Sequence, residues 1–121
     1  MKHIPAKTFK DLIVWQHSHL LVVEVYKMTK QFPKEELFGL TSQIRRAAVS
    51  VAANIAEAFK KRSSLDKMRI LNIAQGSLSE SQYYLTLVQD LEYANTHILN
   101  DKSDDVARLL EAYIKSIRRN N

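Results

Sequence analysis

Pro5, Pro33, Gly39 and Gly76 are the only prolines and glycines in a chain of 121 residues. Between them the apolar residues recur at helical spacing, so long stretches run with nothing to interrupt a helix. From Asp11 to Gln31, Leu12, Trp15, Val22, Tyr26 and Thr29 make one stripe, and Val14, Leu21, Val25 and Met28 make a second beside it. The two cover well over half the circumference, wider than the roughly 100° stripe of a helix with one partner layer. This helix therefore has two faces to bury. Pro33 disfavours helical geometry in Phe32 and ends the helix, and Gly39 marks a second break. The next helix spans 41–61 on the seam Leu40, Ile44, Ala47, Val51, Ile55 and Ala58, where alanines permit close approach. Ser63 and Ser64 are N-cap candidates for a third helix over 64–93, with Asp66 placed to help the first-turn amides. Its inward residues are Leu65, Met68, Leu71, Leu78, Leu85, Val88 and Leu91. The pattern lapses into polar residues over 95–103, and Ser103 or Asp104 caps a fourth helix over 104–119. Short connections make successive helices antiparallel, so the expected fold is all-α: one domain, an up-down antiparallel four-helix bundle.

Composition removes several classes of function. With no cysteine, disulfides, thiolate metal sites and thiol nucleophiles are excluded. With two glycines there is no Gly-rich phosphate loop of the Walker or Rossmann kind. No apolar run approaches the roughly 18 residues of a membrane span, and Met1 to Lys7 has no signal core, so a soluble cytoplasmic protein is expected.

The net charge of +5 is unevenly spread. Residues 41–70 hold seven basic residues against two acidic, whereas 71–105 hold one basic against six acidic. In an up-down bundle the start of helix one, the end of helix two, the start of helix three and the end of helix four share one pole. That pole gathers Lys2, Lys7, Lys10, Lys60, Lys61, Arg62, Lys67, Arg69, Lys115, Arg118 and Arg119, and the opposite one gathers Glu35, Glu36, Asp90, Glu92, Asp101, Asp104 and Asp105. Favourable pairing with helix dipoles accounts for Lys60, Lys61, Arg62, Arg118, Arg119, Asp104 and Asp105. It does not account for Lys67 and Arg69, cations in the first turns of helix three, whose placement points to a polyanion partner. Phosphates of RNA or DNA are the expected ligands of Lys60, Lys61, Arg62, Lys67, Arg69, Arg118 and Arg119. Aromatic residues for base stacking are not interleaved with this cluster, Phe59 being the nearest.

No catalytic or metal constellation emerges. A di-iron bundle needs Glu-x-x-His on two helices, but Glu24, Glu57, Glu80, Glu92 and Glu111 are followed at the third position by Lys, Lys, Tyr, Asn and Ile. His17 and His19 point about 160° apart on a helix and share no ligand geometry; His19 is expected to be partly buried and His17 exposed. Ser50 and Ser77 lie mid-helix and no G-x-S-x-G occurs. No catalytic residue and no cofactor is expected. One polar constellation remains: Gln43, Arg46, Ser50, Asn54 and Glu57 form a stripe beside the seam of helix two, and helix three offers Ser77, Glu80, Gln82 and Tyr84. It reads either as a network between helices or subunits, with Arg46 near an acid such as Glu80, or as a ligand-contacting surface.

The run from Gly39 through Leu40, Thr41, Ser42, Gln43, Ile44, Arg45, Arg46, Ala47 and Ala48 to Ser50, Asn54, Ile55, Ala56 and Glu57 closely resembles the 23S rRNA intervening-sequence protein family. Phe9-x-x-Leu12-x-Val14-Trp15-Gln16, Phe32-Pro33-x-x-Glu36 and Ala74-x-Gly76-Ser77-x-x-Glu80 match it too, so the resemblance spans about residues 9–93. It implies a four-helix bundle that assembles as a ring-shaped homopentamer, in a family without an established biochemical activity. A related branch, the accessory protein of diversity-generating retroelements, is a basic pentameric barrel that binds nucleic acid and a reverse transcriptase. Carried onto this chain, Gln43, Arg45, Arg46, Ser50, Asn54, Glu57 and Glu80 are the motif residues, expected at helix or subunit contacts. Two positions depart from the family, Ala58 and Glu92, where glycine is common. The first implies a helix that continues past Glu57. The expected function is that of a noncatalytic oligomeric nucleic-acid-binding protein, with an RNA-handling protein as a further candidate partner. A protein-interaction scaffold is the alternative.

Overall fold

The computed structural model describes residues 5–120; Lys2, expected at the basic pole, lies outside them. Four helices carry the fold: α1 (Ile13–Thr29), α2 (Leu40–Lys60), α3 (Ser64–Asp90) and α4 (His97–Arg119), with single 3-10 turns at Phe9–Asp11 and Lys34–Glu36. No strand occurs among the described residues. Each helix packs on the two beside it in the order α1, α2, α3, α4 and back to α1, and the diagonal pairs do not approach. Cross-helix hydrogen bonds run in opposite chain directions. Between α2 and α3 they join Gln43 to Tyr84, Ser50 to Ser77 and Phe59 to Lys67. Between α3 and α4 they join Gln75 to Glu111 and Gln82 to Ser103. The bundle is antiparallel, as the short connections require.

Burial follows the α2 seam throughout, with Leu40, Ile44, Ala47, Val51, Ile55 and Ala58 all in the core. In α1 the core takes Val14, Leu21 and Val25 together with Ser18 and Thr29. Trp15, Val22 and Tyr26 lie to one side, against α2. Two expected core residues of the third helix are outside: Leu65 is 82% exposed and Leu91 is 45% exposed, while Ile70 and Ala74 are buried in their place. Both misplaced leucines sit at helix ends, where the apolar period has no further turn to constrain it.

The helix ends explain the other differences. A capping box closes the first 3-10 turn: Thr8 Oγ1 accepts from the Lys10 amide, and the Asp11 carboxylate accepts from the Lys7 and Thr8 amides. These amides hold the Asp11 carboxyl below its ordinary range, and α1 starts at Ile13 rather than Asp11. Ser63 caps α3 through a 3.1 Å bond from the Asp66 amide. At its other end α3 stops at Asp90, short of 93. The Glu92 amide bonds to Gln89 O and the Tyr93 amide to Val88 O, while Glu92 adopts a φ of 61°. This is a Schellman motif whose left-handed residue is ordinarily glycine. Helix α4 begins at His97 and not at 104: Thr96 O accepts from the Asn100 amide to open it, and its first turns carry too few apolar side chains for the periodicity to show. Leu99 and Ser103 face the core, the Ser103 hydroxyl bonding to Asn100 O and accepting from Gln82. A buried serine in these turns leaves no apolar period to read.

Candidate nucleic-acid interface

The pole where α2 ends and α3 and α4 meet it is built by three residues of connection, 61–63. Ala58 continues α2 past Glu57, to Lys60, as its replacement of glycine implies. Lys60, Arg62, Arg69, Arg118 and Arg119 are exposed there, and Lys61 and Lys67 are half-buried. Their surroundings differ. Lys67 Nζ donates to Phe59 O at 2.8 Å and Ala58 O at 3.2 Å and sits 5.6 Å from the centre of the Phe59 ring. Its ammonium thus closes the C-terminus of α2, and burial pushes its pKa down. The cation in the first turn of α3 is there for the preceding helix. Arg69 stands 3.9 Å from Asp66 and Lys61 stands 3.9 Å from Glu57. A polyanion is therefore not needed to account for the placement of Lys67 or Arg69 in the first turns of α3. Lys60, Arg62, Lys115, Arg118 and Arg119 have no ion pair with a described carboxylate.

The polar stripe of α2 faces α3. Asn54 Nδ2 donates to Ser50 O and Oγ, the Ser50 and Ser77 hydroxyls lie 2.8 Å apart, and Ser81 donates back to Ser77 O. The Tyr84 hydroxyl is 3.0 Å from Gln43 Oε1 and 3.2 Å from Glu80 Oε2. Burial and the bond to the Glu80 carboxylate raise the pKa of this phenol. The expected Arg46–Glu80 pair does not form. Both residues line one cleft of 520 Å³ with Phe38, Gln43, Ser50, Ser77 and Tyr84, but tyrosine rather than arginine reaches the carboxylate. Arg45 turns to the other side, donating from Nε to Thr29 Oγ1 at 2.7 Å with its guanidinium 4.6 Å from the Tyr26 ring centre. Gln43, Ser50, Asn54 and Glu80 therefore belong to an α2–α3 network, Arg45 joins α2 to α1, and Glu57 pairs with Lys61 at the C-cap of its own helix.

The match to the family model described as 23S rRNA-intervening sequence protein covers residues 10–115: α1, α2 and α3 entire and α4 to within its last turn. The chain belongs to the 23S rRNA-intervening sequence protein family. A solved structure described as a protein of unknown function from the S23 ribosomal protein family of Bacteroides thetaiotaomicron is 32% identical, with a TM-score of 0.79 over 88% of this chain and 98% of that one. No curated protein matches.

Sequence reasoning missed one group in this 23S rRNA-intervening sequence protein. Phe9, Trp15 and His19 come together in the groove between α1 and α2, against Val49, Ala52, Ala53 and Ala56. The Trp15 and His19 rings are stacked, with centroids 5.0 Å apart and planes 7° apart, and Phe9 meets Trp15 edge-on at 4.9 Å. His19 is exposed, not partly buried; His17 is exposed as expected. The available signal was the spacing of four between Trp15 and His19, which stacks two side chains on one helix face. Among the described residues no cluster of three or more His, Asp or Glu is arranged to hold a metal, and no helix is long and apolar enough to cross a membrane.

Proposed function

We propose that this chain is a noncatalytic, self-associating protein that holds nucleic acid by its phosphates at the basic pole. The observation that carries this reading is the set of exposed cations Lys60, Arg62, Lys115, Arg118 and Arg119, which have no described carboxylate partner. Phosphate contacts of this kind position a nucleic acid without reading its sequence, and their affinity falls steeply with salt. Lys67, engaged at the end of α2, serves to hold the α2–α3 connection that presents Lys60 and Arg62.

Self-association has separate support. Ile13 and Leu20 are exposed on α1, Ile73 and Tyr83 on α3, and Phe38 is 93% exposed in the turn before α2. Unlike faces on one subunit favour a head-to-tail contact, which closes into a ring when the rotation permits. A ring of five, as in the family resemblance, would set five basic poles on one face and multiply their effect. Native mass spectrometry at micromolar concentration is expected to show a multiple of the 14.0 kDa subunit, and a lone subunit mass would overturn the assembly. For the phosphate contact the test is fluorescence anisotropy with labelled RNA and DNA at about 50 and 200 mM salt, where binding should weaken by orders of magnitude. A protein-docking module is the second reading, favoured by Phe38 at the opposite end. It takes over if no nucleic acid is retained even at low salt.

A further inference from the structure

Beside the basic pole the α1–α2 groove has walls and a floor of unlike character. One wall is the parallel Trp15–His19 pair with Phe9 against its edge; the floor is Ala52, Ala53 and Ala56. The groove measures 260 Å³, room for a planar ring of nucleobase size. Lys10, next to Phe9, and Lys60, one helical turn beyond Ala56, are both exposed. The neighbouring Asp11 carboxylate is occupied by the Lys7 and Thr8 amides. Aromatic side chains with exposed lysines close by in the chain are the combination that binds single strands, because a base offers its π-face for stacking while flanking phosphates meet the cations.

We infer that this groove takes an unstacked base of a single-stranded nucleic acid, with Lys10 and Lys60 on the adjoining phosphates. The inference rests on the phosphate-binding reading and narrows it: the ligand is single-stranded, since a base within a duplex keeps both faces covered. The exposed His19 ring, stacked on Trp15 by its other face, offers the stacking surface and no base-specific hydrogen-bond pattern, so any base serves.

Trp15 is the only tryptophan, so its emission reports on the groove directly. The full chain is titrated with a ten-nucleotide oligo-dT, with an abasic deoxyribose-phosphate oligomer of the same length, and with a duplex of that length, all at about 50 mM salt. The oligo-dT is expected to quench Trp15 and to bind about 10-fold more tightly than the abasic oligomer, in line with base stacking on an aromatic side chain. The duplex should bind without quenching. Ala53→Leu, at an exposed floor position, and His19→Ala, at an exposed wall position, should each remove the quenching and leave abasic binding unchanged. Equal affinity for oligo-dT and abasic oligomer with unaltered emission overturns the inference and leaves the phosphate reading standing. If neither oligomer binds, the phosphate reading fails and this inference, which rests on it, is overturned with it. A change of Trp15 emission with protein concentration alone would show a second copy covering the groove, which also overturns the inference.

Discussion

The two ends of the bundle solve the same problem with opposite charge. At the basic end, Lys67 reaches back from α3 and gives its ammonium to the last carbonyls of α2. At the acidic end, Glu36 gives one carboxylate oxygen to the Leu40 amide at the start of α2 and the other to the Tyr93 hydroxyl at 2.8 Å. Each terminus of α2 is thus closed by a side chain whose sign suits the helix dipole there. At both ends one charged residue is consumed by the fold and its neighbours of like sign remain on the surface. A count of charges therefore includes side chains such as Lys67 and Glu36 that the fold itself uses.

The largest expected effect separates the residues left on that surface from the one consumed. Reversing Lys60, Arg62, Arg118 and Arg119 to Glu should lower nucleic-acid affinity at least 100-fold at low salt. The same change should reduce the slope of log K against log salt by about 3 to 4 for duplex DNA. Asp104→Lys with Asp105→Lys, at the other end, should not weaken binding. Retention unchanged by the reversal would break the assignment of function to the basic end. Next in size, Lys67→Met should cost about 1–2 kcal/mol in urea unfolding, the loss of a cation at a helix C-terminus in a partly buried setting. Its phosphate affinity should change little. A Lys67→Met variant of full stability but weak binding would restore the lysine to the phosphate surface.

The chain turns at Glu92 with a φ of 61°, and Gly76 sits mid-helix where an added Cβ would meet nothing within 4 Å. Glu92→Gly is expected to stabilise by about 0.5–1 kcal/mol, relief of left-handed strain less the entropy glycine adds to the unfolded chain. Gly76→Ala should stabilise by a similar amount, about 0.5–1 kcal/mol, through helix propensity alone. Destabilisation by Gly76→Ala at oligomer-forming concentration would mark that face of α3 as covered by another chain. The smallest effect is in the pH profile. The Glu36 carboxylate, and burial after it, hold the Tyr93 phenol above its ordinary 10.0. The folded state keeps that proton where the unfolded chain releases it, so the contribution is complete below pH 10 and is lost as pH rises through the folded value. Tyr93→Phe should flatten this alkaline limb of the stability curve.

Periodicity and punctuation determined the number of helices, their antiparallel order and the α2 seam, because burial of a repeated face leaves a mark at every third or fourth residue. The break at Pro33 and Gly39 and the Ser63 cap were legible for the same local reason. The start of α4 at His97 was hidden by a buried serine, and Leu65 and Leu91 looked like core because their helix ends carry no further period. Within the candidate site, clustering of cations near residues 60–69 was written in the sequence; the direction in which each ammonium or guanidinium points was not. Only the packed structure decided that Lys67 turns inward, that Tyr84 and not Arg46 meets Glu80, and that Phe9, Trp15 and His19 line a groove with the alanines of α2. Those outcomes depend on which residues, far apart in the chain, come within hydrogen-bonding or stacking distance. A one-dimensional pattern records the period of a helix and not the rotation that aims a side chain across it.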